Sequence, residues 1–189
     1  MGPVIGVDVG QKRDPTAVCV VELEERGGES HYLVRHLERL ALGTPYPAVV
    51  ERLHGIASGI ARRCGRRPRL YLDATGVGKP VLDLLVARVP EAIGVYFVRG
   101  DKRREEVLDG RRQVKLGKAH LVRRLQALMD HHRIHLPQTP EAGALGRELA
   151  NYEIRIDEKA RGRFGAFRSG THDDLVTALA LAVQEGVDF

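Results

Sequence analysis

Tryptophan is absent from this 189-residue chain, and the other aromatics bring the aromatic share to only 5%. That scarcity argues against a platform on which successive unpaired bases stack. Cysteine is almost absent too: Cys19 and Cys64 stand alone in apolar or basic surroundings, without C-x-x-C spacing. This excludes a zinc ribbon or a disulfide framework and predicts buried free thiols. No apolar run approaches the ~18–20 residues that a membrane-spanning helix needs, and the start of the chain lacks the basic-then-apolar layout of a secretory signal. A soluble, cytoplasmic protein without membrane contact is therefore expected. Its 43% hydrophobic content and its length suit one compact domain covering residues 1–189.

What the chain has in excess is positive charge, a formal net of +5. Between Arg99 and Lys118 eight cations face four acids, in a stretch with almost no apolar residues that reads as an exposed loop. A second knot, Arg62, Arg63, Arg66, Arg67 and Arg69, contains no acid at all. Cations so grouped, with few aromatics between them, favour contact with a phosphate backbone, as in double-stranded DNA. The loop supplies Arg103, Arg104, Arg111, Arg112, Lys115 and Lys118 as candidates for holding it.

The apolar pattern predicts strands over Val4–Val9, Thr16–Glu24 and His31–Leu40, then a helix over Pro47–Cys64 from Val49, Val50, Leu53, Ala57 and Ile60. A strand over Arg69–Asp73, a helix over Pro80–Arg88 and a strand over Gly94–Val98 follow, an alternation that implies parallel pairing. Helices are expected over Lys118–His131, Pro140–Leu149 and Asp173–Glu185, with a hairpin in "NYEIRIDEKARGRFGAFRS" before the last. The sum is an α/β fold, a mixed central sheet flanked by helices.

Four acids break these patterns. Asp8 interrupts the buried run "VIGVDVG", Asp73 ends "LYLD", and Asp173 with Asp174 opens the final helix in "THDDLVTALALA". A carboxylate in an apolar setting is costly unless it is paired or bound to a cation. Asp173 could cap its helix and Asp73 its turn, but Asp8 has no local donor. If the first and fourth strands are neighbours, ~4.8 Å apart, Asp8 and Asp73 converge within reach of one ion. Gly6 and Gly10 then read as room for metal and phosphate near the backbone. Oxygen-only ligands favour Mg²⁺ or Mn²⁺, and two such ions can activate a water and stabilise the leaving oxygen of a phosphodiester. His172, next to the acid pair, is a further candidate ligand or proton carrier, whereas His131, His132 and His135 read as surface or helix-end residues. The turn "DATGVGKP" is not a Walker A loop, since Asp73 and Pro80 stand where glycine and Ser or Thr are required. It suits a tight strand-to-helix turn with Lys79 near the acids and a backbone approach to phosphate.

The stretches "GVDVGQKRDPTAVCVVE", "LYLDATGVGKPVLDLL", "KAHLVRRLQALMDHHRIHLP", "GALGRELANYEIR" and "THDDLVTALALAV" together resemble the nuclease domain of the large terminase subunit of tailed phages. The resemblance implies a ribonuclease H-like fold with a mixed five-stranded sheet and an added β-hairpin before the C-terminal helix. It also implies cutting of double-stranded viral DNA with two divalent cations. By position, Asp8 would bridge both ions, Asp73 would hold one, and Asp173 or Asp174 would be the ligand from the final helix. The implied partners are the terminase ATPase domain, the small terminase subunit and the portal, in the host cytoplasm. The chain itself contains no ATPase motif.

Other readings remain in view. A Holliday-junction resolvase or another ribonuclease H-like nuclease would use the same acids on a different substrate. "GVDVG" also resembles the first phosphate strand of actin-like ATPases and sugar kinases, which need a second glycine-rich strand and a longer chain. A DNA-binding module without catalysis would leave the spacing of the acids unexplained.

Overall fold

The run Val4–Asp8 is apolar on both faces up to its last residue, and burial on both faces makes it the central strand of the computed structural model, which describes residues 2–10, 14–156, 162–165 and 173–185. In chain order the elements are β1 (Val4–Asp8), β2 (Ala17–Arg26), β3 (Glu29–Arg39), α1 (Tyr46–Cys64), β4 (Arg69–Asp73), α2 (Gly78–Leu85), β5 (Ala92–Val98), β6 (Arg103–Leu108), β7 (Arg111–Gly117) and α3 (Lys118–Asp130). These are followed by β8 (Ile134–His135), α4 (Pro140–Asn151), β9 (Glu153–Ile156), β10 (Gly162–Gly165) and α5 (Asp174–Ala182). Among the described residues no helix is long and apolar enough to cross a membrane.

The expected five strands form the middle of the sheet in the order β5-β4-β1-β2-β3, and three more extend it to eight, β6-β7 beside β5 and β8 beside β3. β2 runs antiparallel to both its neighbours, while β1, β4, β5 and β7 run parallel to one another. The hairpin expected before the last helix is the pair β9–β10.

The stretch between Arg99 and Lys118 is not a loop. Arg103–Leu108 and Arg111–Gly117 pair as a hairpin that adds to the sheet edge. Its charged residues disguise it, because an edge strand meets water and only Val114 and Leu116 are drawn into the core.

Helices cover both faces. On one, Ile5, Val7, Leu70 and Leu72 pack under α1 and α2. On the other, Val4, Cys19, Tyr71, Ile93 and Val95 pack under α3 and α5. Cys19 is buried as expected, but Cys64 is exposed at the end of α1. α5 has buried residues all round, Leu175 to Ala182, apart from Thr177, which explains its uninterrupted apolar sequence.

Gly6 is where β1 and α5 meet. A side chain there would run into the backbone of Ala178 and Ala182, so the glycine serves helix packing rather than making room for metal or phosphate. Gly10 likewise lies against the backbone of Asp14 and Pro15. Gly6→Ala is expected to lower stability by about 1–3 kcal/mol through overpacking, read as a lower urea midpoint. An unchanged midpoint would mean that α5 does not press on β1.

Candidate metal centre

Strand register brings the first two acids together. β1 and β4 pair in parallel from Val4↔Arg69 to Val7↔Leu72, so the next residues, Asp8 and Asp73, end the two strands level with each other. Side chains alternate along a strand. Since Ile5, Val7, Leu70 and Leu72 face α1 and α2, Asp8 and Asp73 face the α5 side. There α5 begins with Asp173 at its N-cap position and Asp174 in its first turn. The acids lie at the carboxyl ends of parallel strands, where open α/β sheets form clefts.

Asp73 is fixed locally: its Oδ1 accepts the Thr75 N–H at 2.8 Å, and the Thr75 hydroxyl oxygen accepts the Phe97 N–H at 3.0 Å. Gly78, at the start of α2, lies so close to the Asp73 carbonyl that no side chain fits there. This is the role of the glycine-rich turn.

Burial, then the charges of Asp73, Asp173 and Asp174, push the Asp8 carboxyl well above the usual carboxylate range, while Lys118 pulls it back. Burial also raises Asp73, opposed by its hydrogen bonds with Thr75 and by Lys118. Lys118, expected to hold DNA, therefore acts on the acids from the first residue of α3, with its Nζ 5.3 Å from the centre of the Phe97 ring. Tyr152, which sequence reasoning did not single out, stands at the same place. Burial and the charges of Asp173 and Asp8 hold its hydroxyl above the ordinary tyrosine value.

The α5 acids differ in surroundings. Asp174 is buried and accepts two bonds from Arg39, from Nε at 2.6 Å and from Nη2 at 3.3 Å. Arg39 also forms an ion pair with Glu148 of α4. The other Glu148 oxygen accepts the Leu175 and Val176 N–H groups at 3.0 and 3.3 Å, and so caps α5. Asp173 makes no capping bond with its side chain, and its charge acts on Asp8 more strongly than that of Asp174. Arg39 and Glu148 were not foreseen. A signal existed in Glu148, which sits at helical spacing with the buried Ala142 and Leu145.

The other sequence candidates are spread out. His172 lies outside the described residues. Lys79 turns to Asp83, 2.7 Å away on α2, on the opposite side of the sheet from the acids, with Arg111 3.6 Å from the same carboxylate. Arg103 and Arg112 both pair with Glu105, Lys115 pairs with Glu106, and Arg104 is exposed. Register through β5 sets Arg111 and Arg112 level with Leu70 and Tyr71, below Asp73. Lys115 and Lys118 lie toward the acid end. Of the helix-end histidines, His131 bonds the Ala127 carbonyl through Nδ1, while His135 meets His31 at 2.9 Å.

The donor set suits a hard divalent cation: the carboxylate of Asp8, raised by burial and by the neighbouring acids, and that of Asp73, raised by burial, meet conditions that a bound cation relieves. Among the described residues no three His, Cys, Asp or Glu side chains already converge on one point. Asp8 and Asp73 stand level at the ends of neighbouring strands, with Asp173 and Asp174 at the start of α5 acting on Asp8.

Two outcomes are expected. A carboxyl whose folded-state pKa exceeds its unfolded value costs stability when ionised, above the folded pKa, and the cost fades as pH falls through it. Asp8→Asn is therefore expected to raise the thermal midpoint at pH 7 without divalent ions; an equal or lower midpoint would count against a cost from burying that charge among other acids. Arg39→Met strands Asp174 and Glu148 as buried carboxylates and is expected to cost about 3–5 kcal/mol in urea unfolding. A loss below 1 kcal/mol would rank the pair with exposed ones.

A family model, the terminase RNaseH-like domain, matches residues 5–185 of the chain. Among solved structures, the large terminase nuclease from thermophilic phage G20c with bound magnesium is similar at TM-score 0.71 and 22% identity, covering 96% of this chain and 79% of that one. The large terminase nuclease domain of Thermus phage P74-26 is similar at TM-score 0.63 and 18% identity over 100% of this chain and 84% of that one. The g2p large terminase nuclease domain of bacteriophage SPP1 with bound Mn is similar at 0.58 and 13%, over 96% and 85%. No curated protein shows a significant match to the chain. The structures share the mixed α/β sheet with its flanking helices, and the family match runs from β1 past α5; the chain belongs to the terminase RNase H-like domain family.

Proposed function

We propose that this chain is a metal-dependent endonuclease domain that hydrolyses the phosphodiester bonds of double-stranded DNA with two divalent cations, Mg²⁺ or Mn²⁺. The observation that carries this reading is the register that ends β1 and β4 on Asp8 and Asp73, side by side and facing the start of α5. Bound at these carboxylates, two such cations supply an activated water and stabilise the leaving oxygen in an in-line displacement. The metal-bound G20c and SPP1 nucleases support the choice of cation class.

The chain's own residues have distinct tasks. Asp8, acted on by all the other acids, is the shared ligand, and Asp73 is the second, oriented by Thr75. Asp173 is the ligand from α5. Asp174, taken up by Arg39, anchors the helix that carries Asp173. Lys118 offsets the acid charge and receives a phosphate oxygen at the cleft. Lys115 and Arg104, toward the acid end of the β6–β7 hairpin, extend this cationic margin along the duplex. The domain covers the whole chain and works in the cytoplasm of an infected cell with the ATPase domain, small subunit and portal of a packaging machine.

Plasmid nicking tests the reading. Cleavage is expected with Mg²⁺ or Mn²⁺ and none with EDTA. Asp8→Asn and Asp73→Asn should each lower the rate at least a hundredfold, about 2.7 kcal/mol of barrier. Asp173→Asn should lose activity with its folding intact, while Asp174→Asn should lose stability as well. If Asp8→Asn cuts like the parent, the reading fails, and a strong preference for four-way junctions would favour a resolvase. DNA binding should weaken with salt by about −0.9 in log K per phosphate contact, with Lys118→Ala lowering the slope by about one contact.

A further inference from the structure

The cation knot at the end of α1 takes no part in the proposed site. It lies across the sheet from the acids, where Arg52, Gly55, Ile56, Gly59, Ile60 and Arg63 follow one another at helical spacing along one wall of a groove of about 730 Å³. The opposite wall is the outer face of β2–β3 at Glu22, Arg35 and His36, with Val20 and Pro3 between.

Three features define what the groove accepts. Its floor is apolar, with Ile56 half-buried above the buried Ile60 and Val20. Gly55 and Gly59 interrupt α1 at a cost to helix stability, yet a side chain built at either meets nothing within 4 Å, so the fold itself does not call for glycine there. One turn apart, they open the helix backbone to close approach. Finally, the charge is one-sided. Arg35 and Arg52 are held by Glu22 and Glu38, but Arg62, Arg63 and Arg66 are exposed and make no ion pair among the described residues.

From this combination we infer that the groove docks an acidic amphipathic α-helix of a partner protein. Its apolar stripe would lie on Ile56, its backbone over Gly55 and Gly59, and its carboxylates against Arg62 and Arg63. A duplex would use the arginines but neither the apolar floor nor the glycine window, and a second copy would bring the same positive charge. The docking face is opposite the acid cleft, so a partner and DNA can be held at once.

Cys64 lines the groove and is exposed while Cys19 is buried, so an environment-sensitive fluorophore on Cys64 reports on occupancy. The probe is a helical peptide of about 20 residues, made of Glu, Ala and Leu with the leucines on one face. Saturable binding is expected, weakening with salt, at least tenfold weaker with Arg62→Glu/Arg63→Glu and with Gly59→Leu. Gly59→Leu favours the helix, so its effect is not unfolding, and circular dichroism checks this. The same peptide with Lys for Glu should give no signal. Gly59→Leu should nick plasmid like the parent, which separates this inference from the proposed nuclease. Absence of a saturable signal, parental affinity in Gly59→Leu, or displacement of the peptide by a blunt DNA duplex would overturn it.

Discussion

A carboxylate at the end of a buried strand is the constraint on which this structure depends. Asp8 feels Asp73, Asp173 and Asp174 while packed at the end of a buried strand, and the surroundings answer that charge. Lys118 opposes it from the start of α3, Thr75 holds Asp73 by its N–H, and Arg39 takes up Asp174. A fold optimised for stability alone would place leucine or valine at the end of β1. On the proposed reading, keeping an acid there trades stability for cation affinity.

Arg39 joins three elements. It ends β3, pairs with Asp174 of α5 and with Glu148 of α4, and Glu148 returns to the backbone N–H groups of α5. The direction and position of α5 thus rest on a buried charge network at one end and on the close fit of Gly6 against Ala178 and Ala182 in its middle. At its far end, Arg124 donates to the Val183 carbonyl and Tyr32 to the Glu185 carbonyl, closing the helix against β3 and α3. Such multiple fixing suits a helix whose first residues must meet two strand ends at a defined distance.

Much of this was legible in the residues. Acids such as Asp8 and Asp73 stand out because each disrupts an apolar strand, but the strand-helix-strand pattern from Arg69 to Val98 implies only the parallel pairing of β4 with β5, and the β1–β4 neighbourhood that brings the acids together was a condition until the sheet order was known. The β6–β7 hairpin was not legible, because "RREEVL" at a sheet edge carries charge on both faces and lacks alternation. Its register, with Glu105 opposite Val114, comes only from tertiary pairing. Arg39 was hidden for another reason: it looks like an ordinary solvated charge until its partners, more than a hundred positions away, are known, whereas Glu148 carried the one signal of sharing a helix face with Ala142 and Leu145. Lys79 misled through proximity in sequence, since helix α2 carries it to the far side of the sheet.

The meeting of β1 with α5 has a consequence for how the molecule comes into being. Asp8 and Asp173 differ by 165 in sequence position, yet they share one cleft. Contacts so distant along the chain close late, after the entropy of the intervening loop has been overcome. During synthesis the strand bearing Asp8 emerges long before the helix bearing Asp173. A nascent chain therefore holds its acids apart, and they come together only once α5 has left the ribosome. No fragment that stops short of α5 carries Asp8, Asp73, Asp173 and Asp174 together.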